Sequence, residues 1–217
     1  METTKITLKT LMLSICAIAG LEIVWPQIGA DRILSPFVGL GLLRLLEIML
    51  LTGICLTVEK NAAAIGLAPV QMLAGFQKGL AWSACFAATA GILAAVLYVA
   101  GADPIVFITA PLPVAQSEQS AVFFMVGGVI GPVAEEIFFR GILYGFFRRW
   151  GIFAAVLLST LLFVLPHLGG GAIPLTQLVG GIVFGITYEK EKSLITPITI
   201  HCLGNLVIFS LPFFILD

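Results

Sequence analysis

The sequence has 217 residues, of which 59% are hydrophobic and only 11% are charged, and its mean hydropathy is +1.11. So little polar surface excludes a water-soluble globule and predicts an all-α polytopic membrane protein. The formal net charge of −1 provides no broad basic or acidic field. Nucleic acid is therefore excluded as a partner, and the lipid bilayer is the expected environment.

Seven apolar runs follow one another along the chain, each close to the ~20 residues that a helix needs to cross the hydrocarbon. Their predicted bounds are 8–29, 34–58, 77–101, 120–147, 152–168, 174–188 and 194–215. Residues 69–78 are predicted to form a short surface helix that leads into the third run. Lys5 and Lys9 precede the first run as in a signal peptide, but its length favours an uncleaved anchor. No repeat is visible, so residues 1–217 are predicted to form a single integral membrane domain.

Positive charges between the runs predict the orientation, because short cytoplasmic loops are enriched in lysine and arginine. With a cytoplasmic N-terminus, only Arg32 falls outside, and the other charges fall inside: Lys5, Lys9, Lys60, Lys78, Arg148, Arg149, Lys190 and Lys192. The sequence thus predicts a multi-pass protein of the cell (inner) membrane, with the N-terminus in the cytoplasm and the C-terminus outside.

Ionisable side chains inside the runs each need a reason, because one at the bilayer centre costs ~2.5–3.5 kcal/mol. The set is Glu22, Arg44, Glu47, Glu135, Glu136, Arg140, His167 and His201. Arg44 and Glu47 are three residues apart, which predicts a structural ion pair within one helix. Glu22 lies near the outer end of the first run. Neither feature requires a reaction.

The fourth run contains three charged residues, which helical geometry places on two different faces. Glu136 and Arg140 are four residues apart and share a helix face, whereas Glu135 is rotated by ~100° from Glu136. Glu136 is therefore predicted to pair with Arg140, leaving Glu135 as a candidate general base. The alternative is a purely structural network in which both glutamates share Arg140.

Both histidines of the chain lie in predicted spans, His167 at the end of the fifth and His201 in the seventh. Asn205 follows His201 by one helical turn on the same face. Together with Glu135, these residues predict an intramembrane polar cavity formed by spans 4, 5 and 7. Three glycines in the fourth run are expected to allow close helix approach, and a proline is expected to bend it: Gly127, Gly128, Gly131 and Pro132.

Three short motifs carry a resemblance to a known family. The segments "EEIFFR" (135–140), "FVLPH" (163–167) and "HCLGN" (201–205) resemble the E-E-x-x-x-R, F-x-x-x-H and H-x-x-x-N motifs of the CAAX-protease and bacteriocin-processing family of intramembrane proteases. The resemblance covers a family-like catalytic core at about 120–210. It implies an intramembrane endopeptidase, a hydrolase whose partner is a membrane-associated protein or peptide substrate.

The resemblance also implies roles for individual residues. Glu135, with His167, would deprotonate the water that attacks the scissile carbonyl, and His201 and Asn205 would donate hydrogen bonds to the oxyanion. Glu136 and Arg140 would give structural support to the fourth helix. This glutamic-type mechanism needs no cofactor.

Three alternatives stay open on the sequence. A zinc-dependent protease could use Glu135, His167 and His201 as metal ligands, although no H-E-x-x-H motif is present. A proton-coupled transporter also places acids and histidines in the membrane, but no paired structural repeat is visible. A non-proteolytic membrane scaffold would not require all four site residues, which are intact here.

Overall fold

The computed structural model describes residues 6–29, 34–104, 120–170, 174–211 and 213. Every regular element within these ranges is a helix, which confirms the predicted all-α class. The seven principal helices are α1 (Leu8–Gln27), α2 (Pro36–Val58), α3 (Met72–Val99), α4 (Ser120–Trp150), α5 (Ile152–Val164), α6 (Leu175–Glu191) and α7 (Ile195–Ser210). Short 3-10 segments lie at Ala62–Ile65, Pro69–Gln71 and Leu165–Gly170.

Four of these helices are long and apolar enough to cross a membrane within the described ranges. They are α1, α2, α4, and α3 together with the turns that precede it from Ala62. α5 with its 3-10 extension to Leu168, and α7, are apolar but shorter. α6 has 17 residues and ends in the charged sequence Glu189 to Glu191. The chain is a polytopic membrane protein whose later helices are shorter than its earlier ones.

Several helix boundaries differ from the predicted ones by a few residues, and two of the differences concern charged or surface segments. The separate surface helix predicted at 69–78 is wrong, because the 3-10 turn Pro69–Gln71 leads directly into α3 at Met72. α6 continues three residues beyond the predicted end at 188. Glu189 forms an ion pair with Arg148, and Glu191 forms one with Lys78. These contacts stabilise the charged last turn of the helix.

α4 is not a uniform α-helix. An α-helical segment, Gly131–Glu136, lies between two π-helical segments, Val126–Ile130 and Ile137–Tyr144. Pro132 has no backbone N–H, so the regular hydrogen-bond ladder is interrupted at the point where a bend was predicted. Glu135 and Glu136 therefore lie between two π-helical segments. Such segments shift the register of a helix, so they affect the direction in which both side chains point.

The glycines of α4 differ in what they accommodate. A methyl group at Gly128 would lie 2.5 Å from Leu206 Cδ2, and one at Gly127 would lie 3.0 Å from the Phe209 ring. Both glycines therefore permit the predicted close approach of α7. A methyl group at Gly131 would instead meet the Val126 carbonyl of its own helix at 3.1 Å, so the prediction of a helix contact at Gly131 is wrong.

Charged and polar contacts tie the helix ends together at one end of the bundle. Glu59, just after α2, accepts hydrogen bonds from the Thr7 backbone N–H at 2.9 Å, the Thr7 hydroxyl at 2.8 Å and the Thr10 hydroxyl. Partial burial raises the pKa of Glu59, but these hydrogen bonds outweigh it and hold that pKa below its usual value. Lys78 pairs with Glu191 at 2.7 Å.

The ends of α4 and α6 complete this polar end. Arg148 pairs with Glu189 at 3.0 Å, and Arg149 donates to the Ile6 carbonyl at 2.7 Å. Lys78, Arg148 and Arg149, all predicted to lie on one side, thus share this end. Lys5 and Arg32 lie outside the described residues, and the orientation relative to the cytoplasm stays a prediction.

Candidate active site

A buried ion pair within α4 forms the base of the site. Arg140 Nη1 donates to Glu136 Oε1 at 3.0 Å, and both side chains are fully buried. This is the pair that the four-residue spacing predicted. Arg140 Nη2 also donates to the Gly181 carbonyl of α6 at 3.3 Å. The guanidinium lies 4.5 Å from the centre of the Phe163 ring and 5.0 Å from that of Phe184, which gives it two cation–π contacts.

Glu136 has a second partner that sequence reasoning missed. His201 Nδ1 lies 2.8 Å from Glu136 Oε1, the same oxygen that Arg140 uses. The contact joins α4 to α7 across 65 positions of sequence, so no local spacing rule could find it. It makes Glu136 more than a partner for Arg140, because it connects the buried ion pair to one of the predicted site residues.

The ring of His201 is held between aromatic side chains. Phe184 stacks on it at 4.7 Å with an interplanar angle of 22°, and Phe163 meets it edge-on at 5.8 Å. The other ring nitrogen, Nε2, lies 3.8 Å from Glu135 Oε2. Glu135 is 28% exposed, whereas Glu136 has no exposed surface. The two neighbouring glutamates are thus divided between a buried network and an accessible position.

His167 lies beyond the end of the α-helical part of α5. The 3-10 segment Leu165–Gly170 carries it, and its ring contacts the ring of Phe163 at 5.3 Å. Its Nδ1 lies 2.9 Å from the Phe163 carbonyl oxygen. A carbonyl oxygen can only accept, so Nδ1 is the donor and Nε2 carries the lone pair in the neutral ring.

Asn205 links α7 back to α4. Its Nδ2 donates to the Gly127 carbonyl at 2.9 Å. An asparagine amide has two N–H groups, and the second has no partner among the described residues. The amide is therefore fixed by one hydrogen bond and retains one donor.

All four predicted site residues line one cavity of about 340 Å³. Glu135 comes from α4, His167 from the extension of α5, and His201 and Asn205 from α7, so the prediction that these three helices converge on a cavity is confirmed. The remaining wall is largely apolar and includes Leu40, Phe86, Val126, Val183, Phe184, Ile200, Ile208 and Phe209.

α2, α3 and α6 also contribute to the cavity, α3 through Phe86, and sequence reasoning missed all three helices. From α6 come Gln177 and Phe184, and from α2 comes Arg44. The Gln177 side-chain oxygen is buried and has no hydrogen-bond partner within the described part of the chain. Gln177 is an uncharged amide within the sixth apolar run, and that polar side chain was the available signal.

Arg44 has the partner that was predicted and one more. Its Nη1 lies 2.7 Å from Glu47 Oε2, which confirms the predicted ion pair, and 3.4 Å from Glu22 Oε1 of α1. Glu22 is therefore part of a three-residue cluster and not a separate charge at the end of its helix. The cluster joins α1 to α2 beside the cavity.

The zinc alternative requires at least three ligand side chains close enough to share one ion. Among the described residues, no three histidine, cysteine, aspartate or glutamate side chains are grouped so that they could hold a metal ion. Glu135, His167 and His201 line one cavity but do not form a ligand set in this structure.

Comparisons with known proteins agree with the resemblance. A family model described as type II CAAX prenyl endopeptidase Rce1-like matches residues 117–207, a range that contains every predicted site residue. The membrane-embedded CAAX protease MroQ of Staphylococcus aureus (strain USA300) is 33% identical over 99 residues, which are 42% of this chain and 40% of that protein. The match thus spans well under two thirds of that relative, and no solved structure matches the chain. Residues 117–207 are thus similar to the type II CAAX prenyl endopeptidase Rce1-like family, and this similarity agrees with the three motifs.

Proposed function

We propose that the protein is an intramembrane endopeptidase that hydrolyses a peptide bond of a membrane-associated protein or peptide. One observation carries the proposal: Glu135 Oε2 and His201 Nε2, from two different helices, lie 3.8 Å apart in the wall of one cavity. An accessible carboxylate beside an imidazole can act as a general acid or a general base. The family match over 117–207 supports the same reaction class.

The proposed roles follow from the position of each group. Glu135, with His167, takes a proton from a water molecule in the cavity, and that water attacks the scissile carbonyl. Asn205 offers its second amide N–H to the oxyanion, and His201 offers Nε2–H when that nitrogen is protonated. Glu136 and Arg140, buried beneath the cavity, hold α4 and α7 in their relative positions.

The surroundings of the cavity favour a substrate that is already at the membrane. Its wall is mostly apolar, and the helices that form it include the long apolar helices α2, α3 and α4. An extended peptide segment in such a site exchanges lipid contacts for apolar side chains, with a few polar groups to orient it. Gln177, with its unpartnered oxygen, is placed to accept a hydrogen bond from a substrate N–H.

The test is cleavage by purified protein in proteoliposomes supplied with a labelled library of membrane-associated peptides. The expected result is new peptide termini, detected by mass spectrometry, that are absent with Glu135→Gln. Identical peptide profiles for the wild type and Glu135→Gln would contradict the proposal. A pH-sensitive dye inside the vesicles tests the transporter alternative, because a proton-coupled transporter changes the internal pH without making new termini.

A further inference from the structure

The contact between Glu136 and His201 determines where the proton sits on the imidazole ring. Glu136 Oε1 lies 3.0 Å from Arg140 Nη1 and 2.8 Å from His201 Nδ1. Arginine is a permanent cation, so the carboxylate paired with it acts as an acceptor only. Nδ1 of His201 therefore carries the hydrogen, and Nε2 carries the lone pair in the neutral ring.

Aromatic packing fixes the plane of the His201 ring, and the hydrogen bond to Glu136 fixes which nitrogen faces that carboxylate. Phe184 covers one face of the His201 ring at 4.7 Å, and Phe163 abuts it edge-on. Both phenylalanines also contact the Arg140 guanidinium, so the same two rings hold the cation and the imidazole. As a result, the lone pair of Nε2 is directed toward the side of Glu135, where the two atoms are 3.8 Å apart.

We propose that Glu136 is a positioning residue for the hydrolytic reaction and that it acts through His201. The proposal rests on the proposed endopeptidase function. It assigns Glu136 the task of holding His201 as the Nδ1–H imidazole, so that Nε2 can receive the proton that the attacking water loses. Glu136 then also faces the resulting imidazolium and stabilises its charge.

The proton that water loses ends on the leaving nitrogen. An O–H bond of water breaks while its oxygen bonds to the scissile carbon, and the proton passes by way of Glu135 to Nε2 of His201. The new Nε2–H donates to the oxyanion and is finally transferred to the leaving nitrogen as the C–N bond breaks. The ring returns to its starting form, and the products are a carboxylic acid and an amine. The His201 donor to the oxyanion is thus formed during the reaction.

Nitrogen NMR of the full chain in nanodiscs, labelled with ¹⁵N-histidine, tests the resting form directly. The protein has only two histidines, so a His167→Ala sample assigns both rings. We expect a protonated Nδ1 and an unprotonated Nε2 in the neutral His201 ring. His167 serves as an internal reference, because the Phe163 carbonyl fixes its Nδ1–H independently of Glu136. A His201 ring with hydrogen on Nε2 would overturn the proposal, whatever the protein cleaves.

Kinetics of Glu136→Gln supply the second test, with Glu47→Gln as the matched control. Both glutamates are buried and paired with an arginine of the same helix, but Glu47 has no contact with a histidine. We expect Glu136→Gln to lower kcat by roughly 10²- to 10⁴-fold with little change in KM. The same variant should perturb the ¹⁵N signals of His201 and leave those of His167 unchanged.

Glu47→Gln should lower the melting temperature and leave kcat within a few-fold of the wild type. A folded Glu136→Gln protein with wild-type kcat would overturn the proposal. If Glu136→Gln yields no folded protein, the wild-type spectrum decides, because it needs no variant of Glu136. Absence of cleavage by the wild type would instead count against the endopeptidase function, which the spectrum does not depend on.

Discussion

The guanidinium carbon of Arg140 lies 4.5 Å from the centre of the Phe163 ring. Phe163 is the first residue of the segment that ends in His167, and its carbonyl oxygen accepts from that histidine. Its ring also meets the His201 ring. A single aromatic side chain thus joins the buried ion pair to both histidines, which explains why a phenylalanine and an arginine accompany the polar residues in the motifs.

Replacing Arg140 with methionine should destabilise the protein strongly. The substitution leaves the fully buried Glu136 without its cation, a loss of ~3–5 kcal/mol for a buried pair. Thermal unfolding in detergent should show a much lower melting temperature. Arg148→Met is the control, because the Arg148 side chain is 28% exposed and its partner Glu189 keeps a second cation, Lys192, at 2.6 Å. Equal stability losses for the two variants would contradict the buried role of Arg140.

Glu135→Gln should separate catalysis from folding. The substitution removes the proton acceptor and changes side-chain volume little, and Glu135 is only partly buried. We expect no detectable cleavage and a melting temperature within about 2 °C of the wild type, since partly exposed substitutions are usually within ~0.5 kcal/mol. An active Glu135→Gln variant would show that another group takes the proton from water.

Gly128→Ala should weaken the contact between α4 and α7. The added methyl group would lie 2.5 Å from Leu206 Cδ2, and such overpacking typically costs ~1–3 kcal/mol. Gly91→Ala in α3 is the matched control, because among the described residues no side chain or neighbouring helix lies within 4 Å of its added methyl group. That control should be neutral or stabilising by ~0.5–1 kcal/mol. The comparison needs only melting temperatures, and a tolerated Gly128→Ala would argue against close packing at this crossing.

The sequence predicted the seven helical runs and the pairing inside α4 because both depend on local rules. Hydrophobic length identifies a run, and four-residue spacing brings Glu136 to Arg140. The Glu136–His201 contact was out of reach, because it depends on how α4 packs against α7. The contribution of α6 to the cavity likewise depends on tertiary packing, which no periodicity encodes.

Chelation should leave the activity intact. In this structure Glu135, His167 and His201 do not form a ligand set, and the proposed roles need only these side chains and water. We expect purified protein to cleave peptides at an undiminished rate after dialysis against EDTA, with no stoichiometric zinc by elemental analysis. Loss of activity in EDTA and its recovery on adding zinc would replace the glutamic-type proposal with the metalloprotease alternative.

The orientation in the membrane can be read from two single cysteines placed in a variant that lacks Cys16, Cys55, Cys85 and Cys202. Lys60 follows α2 at the polar end of the bundle, and Asp103 follows α3 at the opposite end of that helix. With a cytoplasmic N-terminus, a membrane-impermeant maleimide should label Asp103→Cys in intact cells. It should label Lys60→Cys only after the cells are permeabilised, because the positive-inside rule places that end in the cytoplasm. The reverse labelling pattern would invert the topology and place the polar end, with Arg148 and Lys78, outside.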